Sequence, residues 1–258
     1  MRTLVLVLVF LVLNLVHATE KHALIIAVGD YPSGSGWGDI SSANDVPLIK
    51  ESLMGHGFKK TNIIILKDKE ATYSGIKSAI ENFRASLKPG DIAVIHFSGH
   101  GQPIWDTDSD EIDGYDEAWI PYDAKATYDK DYYEGERHLR DDELGDMFTG
   151  IRNALGKEGQ LLLLMDSCHS GTASRSFIGG VHRGSFVPFQ PKDYSPLVSN
   201  DEEFSIIDRE EISSNAAPLV AISGATAGQL NYEYDGVGSL TYAFAKAMVS
   251  LPKDCTYR

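Results

Sequence analysis

Ile92-Ala93-Val94-Ile95-His96-Phe97 runs straight into Ser98-Gly99-His100-Gly101, and Leu161-Leu162-Leu163-Leu164-Met165 runs into Asp166-Ser167-Cys168-His169-Ser170-Gly171. Each is a short apolar run closed by polar residues and glycine, the pattern of a strand buried on both faces of a parallel sheet. Residues 23–28 and 63–66 have the same character. Helical patterns fill residues 45–56 and 73–87, the second closed by Lys88-Pro89-Gly90. Strand alternating with helix predicts right-handed crossovers and an α/β fold with a mainly parallel central sheet. A fifth strand over residues 219–223 and a last helix over 240–249 extend the pattern.

In such sheets the binding crevice lies beyond the carboxyl ends of the strands. Two strand ends here carry unusual chemistry. If they are neighbours, the imidazole of His100 and the thiol of Cys168 meet at one edge of the sheet. A thiolate is the nucleophile, and a nearby imidazole can take its proton and later give it to a departing amine. Taken alone, Gly99-His100-Gly101 reads as a turn and Cys168 as a buried inert thiol; the pairing of the two strand ends carries the functional reading. His96, inside its strand, reads as a satisfied core histidine, and His169, pointing away from its neighbour, as structural. The Cys-x-x-Cys or His-x-x-x-His framework of a zinc site is absent.

The first eighteen residues stand apart. Arg2 is their only charge, an apolar run covers residues 4–16, and Val16-His17-Ala18 ends in small or tolerated residues, the layout of a secretory signal peptide. The run is short for a membrane span, which needs about 20 residues. The expectation is an exported chain, periplasmic or extracellular, whose one compact domain covers residues 19–258 and keeps no stable membrane anchor after the signal is removed. The chain stops just past its last helix, which reads as a truncated C-terminus. Lys and Arg number 23 against 37 Asp and Glu, a net charge of −14. That balance argues against nucleic acid as a partner and favours cationic substrates. Cys168 and Cys255 are the two cysteines, too few for a disulfide framework.

The paired strand-end signatures resemble those of metacaspases and their bacterial relatives, the orthocaspases, within the caspase-like cysteine peptidases. Ser42-Ala43-Asn44-Asp45, Asp113-Gly114-Tyr115-Asp116-Glu117, Asp141-Asp142-Glu143-Leu144 and Ser223-Gly224-Ala225-Thr226 extend the likeness over most of residues 21–250. The resemblance implies a caspase-like three-layer α/β sandwich and a Cys-His dyad, with His100 as general base and acid and Cys168 as nucleophile. It implies an oxyanion hole built from the backbone N–H groups of Gly101 and Cys168. It also implies hydrolysis of protein or peptide substrates after Arg or Lys, through an acidic pocket carrying Asp45, Asp166 and Ser98. Two carboxylates at the base of a pocket favour a cation and repel an aspartate side chain. Read alone, Asp45 is an acid at a helix start. The rival readings are a catalytically silent module that keeps the fold, and a related cysteine hydrolase with another specificity.

An acidic stretch from Asp106 to Glu117 suits a hard cation but not the EF-hand spacing. In the family an activating calcium ion sits elsewhere, and Asp116, Asp141 and Asp142 match three of its ligands. The fourth place holds Arg175, which repels calcium. No cofactor is therefore expected to be required, with calcium the one candidate.

Residues 172–217 lack either period and are rich in Ser, Pro, Gly and acids. A stretch of that length in a compact domain is functional or disordered. Caspase relatives are often cut there, and this segment offers Arg175, Arg183, Lys192 and Arg209. Arg183, flanked by glycines, ranks first as a self-cleavage site, then Lys192 and Arg209.

Overall fold

The computed structural model describes residues 18–111, 113–168, 181–196, 213–225 and 231–252. The leader predicted over residues 1–18 lies, but for Ala18, outside them, as do His169, Arg175, Arg209 and Cys255. Among the described residues no helix is long and apolar enough to cross a membrane.

In chain order the elements are β1 (Lys21–Ala27), α1 (Asp45–Gly55), β2 (Ile63–Lys67), α2 (Tyr73–Ser86), β3 (Ile92–Ser98), β4 (Gly101–Trp105), β5 (Tyr115–Trp119), β6 (Leu139–Arg140), α3 (Asp141–Leu155), β7 (Gln160–Asp166), β8 (Leu219–Ser223), β9 (Glu233–Tyr234), β10 (Val237–Gly238) and α4 (Ser239–Ser250). Five strands form one sheet in the order β2-β1-β3-β7-β8, every pair parallel.

Side chains alternate across each strand, so the sheet sends two sets of apolar residues to opposite faces. Leu24, Ile26, Ile95, Phe97, Leu161 and Leu163 share one core with Ile76, Ile80 and Phe83 of α2 and Leu144, Phe148, Ile151 and Leu155 of α3. Ala23, Ile25, Val94, Leu162 and Leu164 share the other with Val46, Ile49 and Leu53 of α1, and Phe244 of α4 packs against it. Helix pair, sheet and helix pair make the three layers, as the sequence pattern predicts.

Two features escaped the sequence reading. The first is α3, although Leu144, Phe148, Ile151 and Leu155 recur at helical spacing; Gly145 and Gly150 dilute the pattern. The second is a small antiparallel sheet, β4-β5-β6, whose strands are too short or too polar to stand out. β4 starts three residues after β3 ends, so Gly99 and His100 are the hinge between the two sheets.

Candidate active site

β3 and β7 are neighbours, and Ser98 sits opposite Asp166 in their register. His100 and Cys168 each lie two residues further on, so adjacent strands, spaced about 4.8 Å apart, deliver imidazole and thiol to the same edge. Both are buried. The backbone of His100 is clamped on both sides: its N–H donates to the Tyr31 hydroxyl at 3.1 Å, that hydroxyl donates to the Ile120 carbonyl at 3.0 Å, and the Ile120 N–H donates to the His100 carbonyl at 3.0 Å.

The imidazole stacks on Trp37, with ring centroids 4.9 Å apart, and lies 5.1 Å from Tyr31. Its Nε2 sits 2.8 Å from the Gly38 carbonyl. A carbonyl only accepts, so Nε2 carries the proton and Nδ1 keeps its lone pair in the neutral ring. Nδ1 is buried and has no hydrogen-bond partner among the described residues. Burial pushes the His100 pKa down to about 4, which keeps the ring neutral near pH 7. The sequence reading nominated no group to orient His100. The structure supplies one in a backbone carbonyl, which no side-chain motif could reveal.

The acidic pocket gathers around the same strand ends. Asp45 opens α1, yet its carboxylate caps no helix: Oδ2 accepts from Ser98 Oγ at 2.6 Å and Oδ1 from the Gly238 N–H at 2.9 Å. Asp166 Oδ1 accepts from Asn231 at 2.6 Å and Oδ2 from the Thr241 N–H at 2.7 Å. A third acid, Glu233 on β9, was not anticipated. The turn Asp235-Gly236, with both residues at positive φ, folds β9 back on β10 and sets Glu233 opposite Gly238, beside Asp45.

The occupant of this pocket is Arg183, itself fully buried. Its Nη1 donates to Asp45 Oδ2 at 2.6 Å and to Ser98 Oγ at 2.5 Å, its Nη2 donates to Glu233 at 3.1 Å, and Asp166 lies 3.9 Å from Nη1. The Arg183 carbonyl accepts the Cys168 N–H at 2.8 Å and the Gly101 N–H at 3.3 Å. These two donors are the pair expected to form an oxyanion hole. The flanking backbone is held too: Arg183 N–H donates to the Asn231 carbonyl, and Glu233 N–H to the Val181 carbonyl. Gly184 is packed rather than free, because a Cβ there would drive into the Cys168 carbonyl and stand 2.8 Å from the Gly101 carbonyl. The glycine after Arg183 therefore serves close approach, where the sequence suggested flexibility. Lys192, the second-ranked site, is exposed and lies outside the pocket.

The carboxylates of Asp116, Asp141 and Asp142 assemble as expected, offering oxygens within 4.8 Å of one another; Asp106 and Asp110 form an adjoining group with Asp116. Asp116 Oδ2 accepts from Arg140, while its buried Oδ1 has no hydrogen-bond partner among the described residues. Burial, reinforced by the neighbouring acids, pushes Asp141 up to about 8. Burial also lifts Asp116, against the pull of Arg140, to about 7. An orphaned buried oxygen among crowded carboxylates fits a hard cation.

Comparison with known proteins gives the family and the fold. Residues 21–175 match the model of the metacaspase, peptidase C14 domain. Metacaspase III c of Phaeodactylum tricornutum is 38% identical over 135 residues, covering 50% of this chain and 36% of that protein. Metacaspase-1 of Meyerozyma guilliermondii is 26% identical over 272 residues, covering 91% of this chain and 63% of that protein. The chain thus spans from about a third to under two thirds of the length of these relatives. The fold is shared with the crystal structure of protein GSU0716 from Geobacter sulfurreducens, with a TM-score of 0.60, 22% identity, and coverage of 91% of this chain and 90% of that one. With its strand-end His and Cys, its parallel sheet and the match over residues 21–175, the chain belongs to the metacaspase family of peptidase C14 domains.

Proposed function

We propose that the protein is a cysteine endopeptidase that cuts after Arg, and less readily after Lys, through a dyad of His100 and Cys168, and that its own Arg183–Gly184 bond is its first substrate. One observation carries the reading: the Arg183 guanidinium lies in the acidic pocket while its carbonyl accepts both the Gly101 and Cys168 N–H groups.

The chemistry follows from that placement. His100 Nδ1 takes the proton from the Cys168 thiol, and the thiolate attacks the carbonyl carbon of the basic residue. The oxyanion is held by the two N–H donors, each commonly worth about 2.7 to 4 kcal/mol to the barrier. Collapse breaks the C–N bond, and His100 gives its proton to the departing amine, Gly184 in the first turnover. Water, deprotonated by the same imidazole, then splits the thioester and returns the thiol. Until Arg183 leaves, it blocks the pocket against other substrates. A silent binding module would not need a neutral, oriented imidazole beside a thiol.

Asp116, Asp141 and Asp142 would hold a calcium ion, which when bound neutralises their crowded charge; no catalytic step passes through it, and none is required for the dyad to work. Export to the periplasm or outside the cell rests on the leader alone. The decisive test is turnover of fluorogenic peptides ending in Arg, Lys or Asp. Hydrolysis of the Arg peptide and inertness of the Asp peptide support the reading; an inert Arg peptide, or a preference for Asp, overturns it.

A further inference from the structure

Residues beyond Gly184 do not wander off. They follow β4 through two isolated parallel bridges, Gly101 with Gly184 and Ile104 with Phe189, with a bend at Phe186 and Val187 between them. Ser185 N–H donates to the Gly101 carbonyl at 3.0 Å, Phe189 N–H to the Pro103 carbonyl at 2.8 Å, and Trp105 N–H to the Phe189 carbonyl at 3.0 Å. Midway, the buried Gln102 amide donates to the Val187 carbonyl at 2.8 Å.

The segment ends in an anchor. Phe189 is buried in a box whose rings are Tyr128, Tyr133 and His138, at centroid distances of 5.7, 5.4 and 4.3 Å. Gly135, at φ +100°, makes the room: a Cβ there would come 2.8 Å from Ile104 and 2.9 Å from the Phe189 ring. The box is wired to the segment, because the Tyr133 hydroxyl donates to His138 Nδ1 at 2.9 Å and His138 Nε2 donates to Gln102 Oε1 at 3.0 Å, which turns the Gln102 amide toward Val187. By contrast Val187 is 72% exposed. Two positions are thus selected by shape, the glycine directly after the cut and the aromatic residue five further on.

We propose that the edge of β4 and the Tyr128–Tyr133–His138 box form a docking site for the leaving-group side of the substrate, which takes a peptide with glycine after the basic residue and an aromatic ring five residues later, paired to β4 at both ends and bent between them, here the chain's own Gly184–Phe189. This inference rests on the self-cleavage reading and extends it. Main-chain pairing along an exposed edge supplies affinity, and pockets for chosen side chains supply selectivity. Holding both ends of the segment fixes the Arg183 carbonyl against its donors, so Phe189 is a positioning residue acting over a distance.

The test uses the full chain. In the Cys168→Ala background, hydrogen exchange at the Trp105 and Phe189 amides reports docking; in the active chain, intact mass over time reports cutting after Arg183. Phe189→Ala is expected to speed exchange at those amides, and to slow cutting, at least tenfold, while Val187→Ala changes both less than twofold. If Phe189→Ala fails to fold, Phe189→Leu, which keeps most of the buried volume, is expected to slow cutting at least threefold. Wild-type exchange and a wild-type cutting rate in a folded Phe189 variant overturn the docking site while leaving self-cleavage intact. A wild-type chain that never cuts, but whose amides loosen in Phe189→Ala, removes self-cleavage and keeps the docking site.

Discussion

Two groups of buried and half-buried carboxylates lie in this fold, and they differ in what answers their charge. Around the pocket, Asp45 and Asp166 have a donor on every oxygen, and Glu233 accepts from the Ser41 N–H as well as from Arg183. Around Asp116, Asp141 and Asp142 the facing cation is Arg140, and Asp116 Oδ1 has no donor among the described residues. The first group faces the chain's own Arg183 guanidinium, with every Asp oxygen already supplied with a donor. The second is a crowd of carboxylates whose charged forms burial and mutual repulsion disfavour. Residue type does not separate the two; the supply of donors does.

The strongest way to break this contrast is to remove the proposed dyad of His100 and Cys168. Cys168→Ala and His100→Ala are each expected to lower turnover of Arg peptides at least about a thousandfold with the fold retained, measured by peptide hydrolysis alongside circular dichroism. Substantial activity in either would detach the pocket from any chemistry. Next in size is Asp166→Ala. Truncating one partner of a buried charge pair costs about 2 to 5 kcal/mol, so kcat/KM for Arg peptides should fall by that amount, whereas Asp142→Asn should change it less than threefold. Equal effects would mean the two groups of acids do one job.

Stability against pH sharpens the contrast with opposite signs. His100 has a folded pKa near 4, below the ordinary histidine value, so its contribution is present above about pH 6.5 and is lost as pH falls toward 4. Asp116 and Asp141 have folded pKa values raised to about 7 and about 8, so theirs is present below about pH 4 and is lost as pH rises toward 8. Melting temperature should therefore decline on both sides, and added calcium should restore only the alkaline side, because a ligand that binds the folded state alone stabilises it. A calcium effect on the acid side would mean that the ion binds through other oxygens than these carboxylates. The smallest expected effect is on activity: chelation should reduce turnover of a short Arg peptide less than twofold, since no step of the dyad uses the ion.

The sheet, its strand ends and the juxtaposition of His100 with Cys168 were legible because continuous apolar runs closed by Gly and polar residues announce buried parallel strands. Asp45, Ser98 and Asp166 were reachable only through their motifs, since an acid at the start of a helix reads first as a helix-end charge. Gly38, Glu233 and the aromatic box were out of reach. A backbone carbonyl has no sequence signature, Glu233 is placed by a tight turn more than sixty residues beyond Cys168, and Tyr128, Tyr133 and His138 come from an irregular segment whose pattern carries no period. Arg183 was ranked first for the glycines beside it. Its burial against three acids comes from tertiary packing.

The central claim, that Arg183 is held as the enzyme's own first substrate, is tested most directly by intact-mass analysis of the active chain beside Cys168→Ala. The account predicts one cut, between Arg183 and Gly184, in the active protein and none in the variant. An active protein that hydrolyses Arg peptides while remaining uncut at Arg183, or a cut that persists in Cys168→Ala, would contradict it.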